Sequence, residues 1–204
     1  MTSAKVSTED RIRVAAAKVF TQKGFEATKT RDIADEAGIN IASLHYYFRS
    51  KEKLFELIIV ETMVKFSNLM DRILNGEIPL HHKIQQFVPA YIDFLKENPF
   101  LPMFIMSESA KNPEKIDKMM NDTNSLPMLR RQIEELIATD TIRPISLENF
   151  ICNLIGLIVF PFISKELLQF KTGIQDEAYE QMLEERKQMI VDMLIRHMYY
   201  QPPA

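Results

Sequence analysis

Apolar residues recur at three- and four-residue intervals along nearly every segment of this chain, and they are not organised in the alternating runs of strands. That spacing lines one face of a helix, so the fold class it predicts is all-α. Between Ser7 and Gly24, Ile12, Ala16, Val19 and Phe20 form such a stripe, with Ser7 placed to cap and Asp10 three residues on. A short helix is expected over Thr30–Ala37. Gly38 can take the left-handed backbone conformation that turns the chain, Ile39 plugs the corner, and Asn40 caps a third helix over Ile41–Tyr47. Ser50 caps a fourth, with Glu52 near its positive end, running to about residue 74. Further helices are expected near 81–97, 100–110, 113–121, 127–138, 146–170 and 175–199. Asn98 and Asn112 each precede a proline suited to a first helical position, and Pro161 is expected to kink helix 146–170.

Composition narrows the class. With 46% hydrophobic and 26% charged residues over 204 positions, the chain can bury real cores, which excludes a disordered segment. The first residues carry charge and no apolar run, so no secretory signal is expected. The longest apolar stretch, 151–163, contains Asn153 and Pro161 and is shorter than the roughly 20 residues of a membrane-spanning helix. Cys152 is the single cysteine, which excludes an intramolecular disulfide and a cysteine zinc cluster and fits a reducing cytoplasm. The first 78 residues hold no proline and the remainder hold ten, marking a compositional change near 75–79. Because the fourth helix crosses that region, the expected organisation is a first domain over 1–53 and a second over 54–204, with the helix at about 51–74 connecting them.

The net charge of −3 is unevenly spread. Residues 1–55 carry ten Lys/Arg against seven Asp/Glu, leaving fifteen against twenty-one for the rest, so the N-terminal end is basic and suits phosphate. Residues 30–53, TRDIADEAGINIASLHYYFRSKEK, describe two short helices set at an angle across a glycine turn. Ile33, Ala34 and Ala37 face inward, Ile39 fills the turn, and Leu44 and Phe48 anchor the third helix. Its exposed remainder is Ile41, Ser43, His45, Tyr46 and Tyr47, with no acidic residue. Seven residues span about 10 Å, short enough to enter a major groove about 12 Å wide. Helix pairs of this kind also build plain corners and protein-binding modules, and the lack of any Lys or Arg between Ile41 and Phe48 keeps that second reading open. No nucleophile, base and orienting residue fall together, and no phosphate-cradling glycine loop is present, so an enzyme is not expected.

The same run resembles the signature of the TetR family of bacterial repressors, matching it at Ile33, Ala34, Ala37, Gly38, Leu44, Tyr47, Phe48, Ser50, Lys51, Glu52 and Leu54, with Arg31 at a position the family often keeps basic. Ala42 stands where the family usually has Gly, and His45 stands where it has its first aromatic. The resemblance implies a helix-turn-helix DNA-binding domain followed by a helical ligand-binding and dimerisation domain. It implies phosphate contacts from Thr30, Tyr47 and Lys51, and groove-facing roles for Arg31, Ser43, His45 and Tyr46. The implied partners are operator DNA, a second copy of the chain and a small-molecule effector, with no cofactor and no metal.

The second domain carries no motif of its own. A dense set of aromatics and thioethers, Phe87, Tyr91, Phe94, Met103, Phe104 and Met106, is the candidate lining of an adaptable apolar pocket. Stripes on the last two long helices, Phe150, Leu154, Leu157 and Ile158 on one and Met182, Met189 and Met193 on the other, suit a dimerising bundle. The adjacent His81 and His82 point to different sides of a helix and lack further ligands, so they form no metal pair.

Overall fold

The computed structural model describes residues 7–119 and 125–203, which carry α1 (Thr8–Ala27), α2 (Thr30–Ala37), α3 (Ile41–Tyr47), α4 (Lys51–Leu74), α5 (Leu80–Glu97), α6 (Leu101–Lys111), α7 (Pro113–Met119), α8 (Ser125–Ala138), α9 (Leu147–Ile163), α10 (Lys165–Thr172) and α11 (Asp176–Met198). The expected last residues of the 113–121 helix lie outside the described residues. An all-α chain is therefore what the spacing of apolar residues specified.

Local chemistry sets the first four boundaries. Ser7 accepts from the Asp10 N–H at 3.0 Å, Asn40 from the Ser43 N–H at 2.7 Å, and Ser50 from the Lys53 N–H at 3.2 Å, each satisfying an orphan donor of a first helical turn. Gly38 ends α2 in the left-handed conformation, at φ 63° and ψ 42°.

Two buried clusters form. The first gathers Ile12, Ala16, Val19 and Phe20 of α1, Ile33 and Ala34 of α2, Leu44 of α3, Phe48, and Leu54 and Ile58 of α4. The second gathers the far part of α4 with α5, α8, α9 and α11, including Met63, Ile84, Phe87, Phe150, Leu154, Ile158, Ile190 and Leu194. Phe55 and Phe100 pack against both clusters. Each fully buried aliphatic or aromatic side chain contributes about 1.5–3 kcal/mol by leaving water, which outweighs the weak intrinsic preference of helices as short as α2 and α3.

The expected single helix over 146–170 is two helices. α9 and α10 meet at Ser164 with a 68° bend. Pro161 has no N–H for the helical ladder, so the Leu157 carbonyl loses its usual donor. Arg186 Nη2 of α11 donates to that carbonyl at 2.6 Å, and Tyr179 Oη donates to the Pro161 carbonyl at 3.0 Å. No single helix among the described residues is long and apolar enough to cross a membrane.

Candidate nucleic-acid interface

α3 sits on the first cluster by two side chains. Leu44 is fully buried and Phe48, at its C-terminal end, is buried beside it. The opposite face is open: Ala42, His45, Tyr46 and Tyr47 are exposed, and Tyr46 is 83% accessible. The Tyr46 and Tyr47 rings stand edge to face at 5.2 Å. Ser43 and Ile41 are half-buried at the N-terminal side, where the Ser43 N–H is held by Asn40.

The angle between α2 and α3 is fixed from α1. Arg11 Nη2 donates to the Ala37 carbonyl at 2.6 Å, at the C-terminal end of α2, where the helix dipole favours a cation. Gly38 is favoured by its left-handed backbone conformation, and a Cβ there would stand 3.3 Å from the same nitrogen and crowd this contact. At the other end of α2 the Lys29 N–H donates to Asp32 Oδ2 at 2.9 Å. That bond, and then the ion pair with Lys23, hold the Asp32 carboxyl below the usual carboxylate range.

Lys51 has a role that its sequence position does not announce. Its Nζ donates to the carbonyls of Phe25 at 2.8 Å and Thr28 at 3.1 Å and lies 4.2 Å from the centroid of the Phe25 ring. Thr28 is buried, and its hydroxyl donates to the Gly24 carbonyl at 2.7 Å. The start of α4 is thereby fastened to the corner between α1 and α2. Thr30 is half-buried at the first position of α2, and Arg31 next to it is exposed. Arg49 was not among the residues singled out from sequence. It is exposed in the connection from α3 to α4, where Phe48 and Ser50 are extended, so Phe48 points inward and Arg49 outward. That in-out alternation is the signal from which it could have been found.

The candidate ligand residues do not form one lining. Phe87, Tyr91 and Phe94 come together around Phe66, with Tyr91 and Phe94 at 4.6 and 5.2 Å from it and Phe87 at 5.6 Å from Tyr91. Burial pushes the Tyr91 hydroxyl far above its ordinary range. Phe104 instead packs against Phe55 at 5.9 Å, and Met103 and Met106 lie exposed on α6 and do not join the aromatic group. A cleft of about 440 Å³ opens between α4 and α7, lined by Val60, Val64, Asn112, Glu114, Lys115, Lys118 and Met119.

The expected dimer stripes are also redistributed. Phe150, Leu154 and Ile158 are buried in this chain's own second cluster, because α9 packs on α5 and α11, and they present nothing to a second copy. Leu157 and Met182 are half-buried. Met189 and Met193 are exposed, as are Phe160, Leu167 and Phe170.

Comparison with known proteins agrees with this geometry. Residues 12–58 match the family described as "Bacterial regulatory proteins, tetR family". The chain is 27% identical over 172 residues to the protein named "Probable HTH-type transcriptional regulator YttP" of Bacillus subtilis (strain 168), covering 80% of this chain and 81% of that one. Among solved structures, the ketosteroid transcriptional regulator KstR2 of Mycobacterium tuberculosis superposes with a TM-score of 0.68 at 15% identity, over 97% of this chain and 98% of that one. The transcriptional regulator FadR of Bacillus subtilis, solved in complex with stearoyl-CoA, superposes with a TM-score of 0.59 at 17% identity, over 90% and 96%.

Proposed function

This chain belongs to the TetR family of helix-turn-helix transcriptional regulators, and we propose that it acts in the cytoplasm as a homodimeric repressor released from its operator by a small apolar ligand. It is a regulator and not an enzyme. The observation that carries the proposal is the shared packing of Phe55 and Phe100. Both contact the cluster that seats α3 and the cluster that fills the second half of the chain, so a shift in the second reaches the first without crossing a flexible linker. We read the chain as residues 1–53 and 54–204 joined through α4, whose first turns pack Leu54 and Ile58 into the first cluster.

On this reading Ser43, His45 and Tyr46 face base edges, and Thr30 and Tyr47 serve the DNA backbone. The exposed apolar residues Phe160, Leu167, Phe170, Met189 and Met193 would be covered by a second copy, giving two reading heads for two half-sites about one DNA turn apart. The aromatic group of Phe66, Phe87, Tyr91 and Phe94 supplies the apolar wall for an effector. The same fold in FadR holds an acyl-CoA, which supports an apolar chain as the kind of ligand to test first.

A mobility-shift titration of the protein with DNA from upstream of its own reading frame tests the proposal. A specific complex that weakens with salt and dissociates on adding a long-chain fatty acid or acyl-CoA is expected. No specific complex would overturn the repressor, and a complex unmoved by any apolar compound would overturn the ligand release.

A further inference from the structure

The cations of the first cluster fall into two groups. Arg11 caps α2, Arg13 pairs with Asp10 and Glu61, Lys18 pairs with Glu36 at 2.6 Å, Lys23 with Asp32 at 3.0 Å, and Lys51 is held by two carbonyls. Lys29 lies in the field of Asp32, and Arg31, Arg49 and Lys53 have no hydrogen-bond or ion-pair partner among the described residues. The exposed carboxylates Glu26, Asp35 and Glu52 stand in the same segment without engaging them.

We propose that Arg49, together with Arg31, grips the phosphates of the DNA backbone beside α3, and that Lys51 is a positioning residue rather than a phosphate contact. This rests on the DNA-reading role of α3. Arg49 lies two residues before Lys51, and Arg31 three residues after Thr28, whose carbonyl Lys51 holds at 3.1 Å. Each guanidinium-bearing residue is therefore within about 10 Å of the clamp along the chain, and the clamp sets the two corners side by side. Both guanidinium groups are exposed, one at the start of α2 and the other in the connection from α3 to α4. A guanidinium offers a planar pair of N–H donors matched to a phosphate, and one without an intramolecular partner gives up no bond on meeting it. The Lys51 ammonium is placed differently. Two of its three N–H bonds are directed at backbone carbonyls and its charge lies over the Phe25 ring, so turning it to DNA would release the corner that seats α2 and α3.

The test is the salt dependence of binding by the full-length protein to a labelled mixed-sequence duplex, read with thermal unfolding of the same samples. Each phosphate contact contributes about 0.9 to the slope of log K against log salt. Arg49→Ala is expected to lower that slope by about 0.9 per reading head with an unchanged melting temperature. Lys51→Ala is expected to weaken binding and lower the melting temperature while leaving the slope alone. If Lys51→Ala does not fold, Lys51→Gln, which keeps amide donors for one carbonyl, gives the same comparison in milder form. An unchanged slope in Arg49→Ala, or a reduced slope without loss of melting temperature in Lys51→Ala or Lys51→Gln, overturns the proposal. A wild-type protein with no salt-sensitive complex overturns the DNA-reading role itself, and the proposal with it.

Discussion

Arg186 Nη2 stands 2.6 Å from the carbonyl oxygen of Leu157, replacing the donor that Pro161 cannot provide four residues later in α9. Burial pushes the Arg186 guanidinium below its ordinary value, so the contact holds a cation in an unfavourable place, and its Nε has no partner there. A second α11 side chain, Tyr179, donates to the Pro161 carbonyl. The 68° bend between α9 and α10 is thus braced from α11 at two carbonyls one helical turn apart.

That brace gives a first prediction. Arg186→Met retains the apolar stem and leaves the Leu157 carbonyl without a donor, at an expected cost of about 1–3 kcal/mol. Tyr179→Phe removes one neutral hydrogen bond and should cost about 0.5–1.5 kcal/mol. Urea unfolding at one fixed protein concentration measures both. An Arg186→Met protein as stable as the wild type would show that the carbonyl is satisfied in some other way.

Phe55 leads to a second. Its ring lies 4.6 Å from Phe25 and 4.9 Å from Phe20 in the first cluster, and 6.0 Å from Phe100 and 5.9 Å from Phe104 toward the second. Truncating a ring in this place is expected to cost about 3 kcal/mol, the lower end for Phe→Ala because Phe55 is only half-buried. The more telling effect is on cooperativity. Wild type should unfold in one calorimetric transition, and Phe55→Ala in two, the first cluster melting earlier. A single shifted transition would mean that the clusters are coupled mainly through the backbone of α4.

What could be read from sequence, and what could not, follows from the range of the interactions. Ser7, Gly38, Asn40 and Ser50 act on backbone groups within a few residues, so their roles were legible. Lys51 was legible as a cation at a helix start, but its partners, Phe25 and Thr28, lie 26 and 23 residues away and leave no local mark. Phe150, Leu154 and Ile158 turn into the chain's own core for another reason. α9 is apolar nearly all round, and periodicity cannot say which apolar face meets the chain's own core and which meets a second copy. The thioethers Met103 and Met106 misled similarly, since α6 buries Leu101 and Pro102 instead.

The outward face of α9, α10 and α11 makes a third prediction. Phe170 is 81% accessible and Met193 half accessible, and neither supports the protomer core. Placing a charge at either site would bury it unpaired if a second copy covers the face. Phe170→Asp and Met193→Glu should therefore shift sedimentation equilibrium from dimer toward monomer, with helical content retained. A wild-type monomer, or dimers unaffected by both substitutions, would place any interface elsewhere.

His81 makes a pH-dependent prediction. It packs against His82 at 4.2 Å and edge to face with Tyr199 at 5.9 Å, and its pKa is lowered first by burial and then by the neighbouring His82. A histidine with a depressed folded-state value binds its proton more readily when unfolded. Its stabilising contribution is complete above the unfolded value of about 6.5 and is lost as pH falls through the folded value. Melting temperatures measured on either side of pH 6.5 should drop on the acid side, and His81→Gln should flatten that part of the profile. A loss confined to about pH 4 and below, the ordinary range of carboxylates, would assign the acid sensitivity to them instead.

Tyr46 tests the reading of the exposed face of α3. With 83% of its surface accessible, its only ring contact among the described residues is the edge-to-face pair with Tyr47, so removing it should change stability by less than about 0.5 kcal/mol. A ring held on the face of a helix that enters the major groove meets base edges, where a lost contact costs about 1–3 kcal/mol for one sequence and little for others. Tyr46→Ala is therefore expected to lower the ratio of operator to mixed-sequence affinity by roughly 5- to 150-fold while leaving the salt slope unchanged. Equal weakening on both DNAs would move Tyr46 from base reading to the backbone. Specificity would then rest on Ser43 and His45, the other side chains of α3 proposed to approach a base.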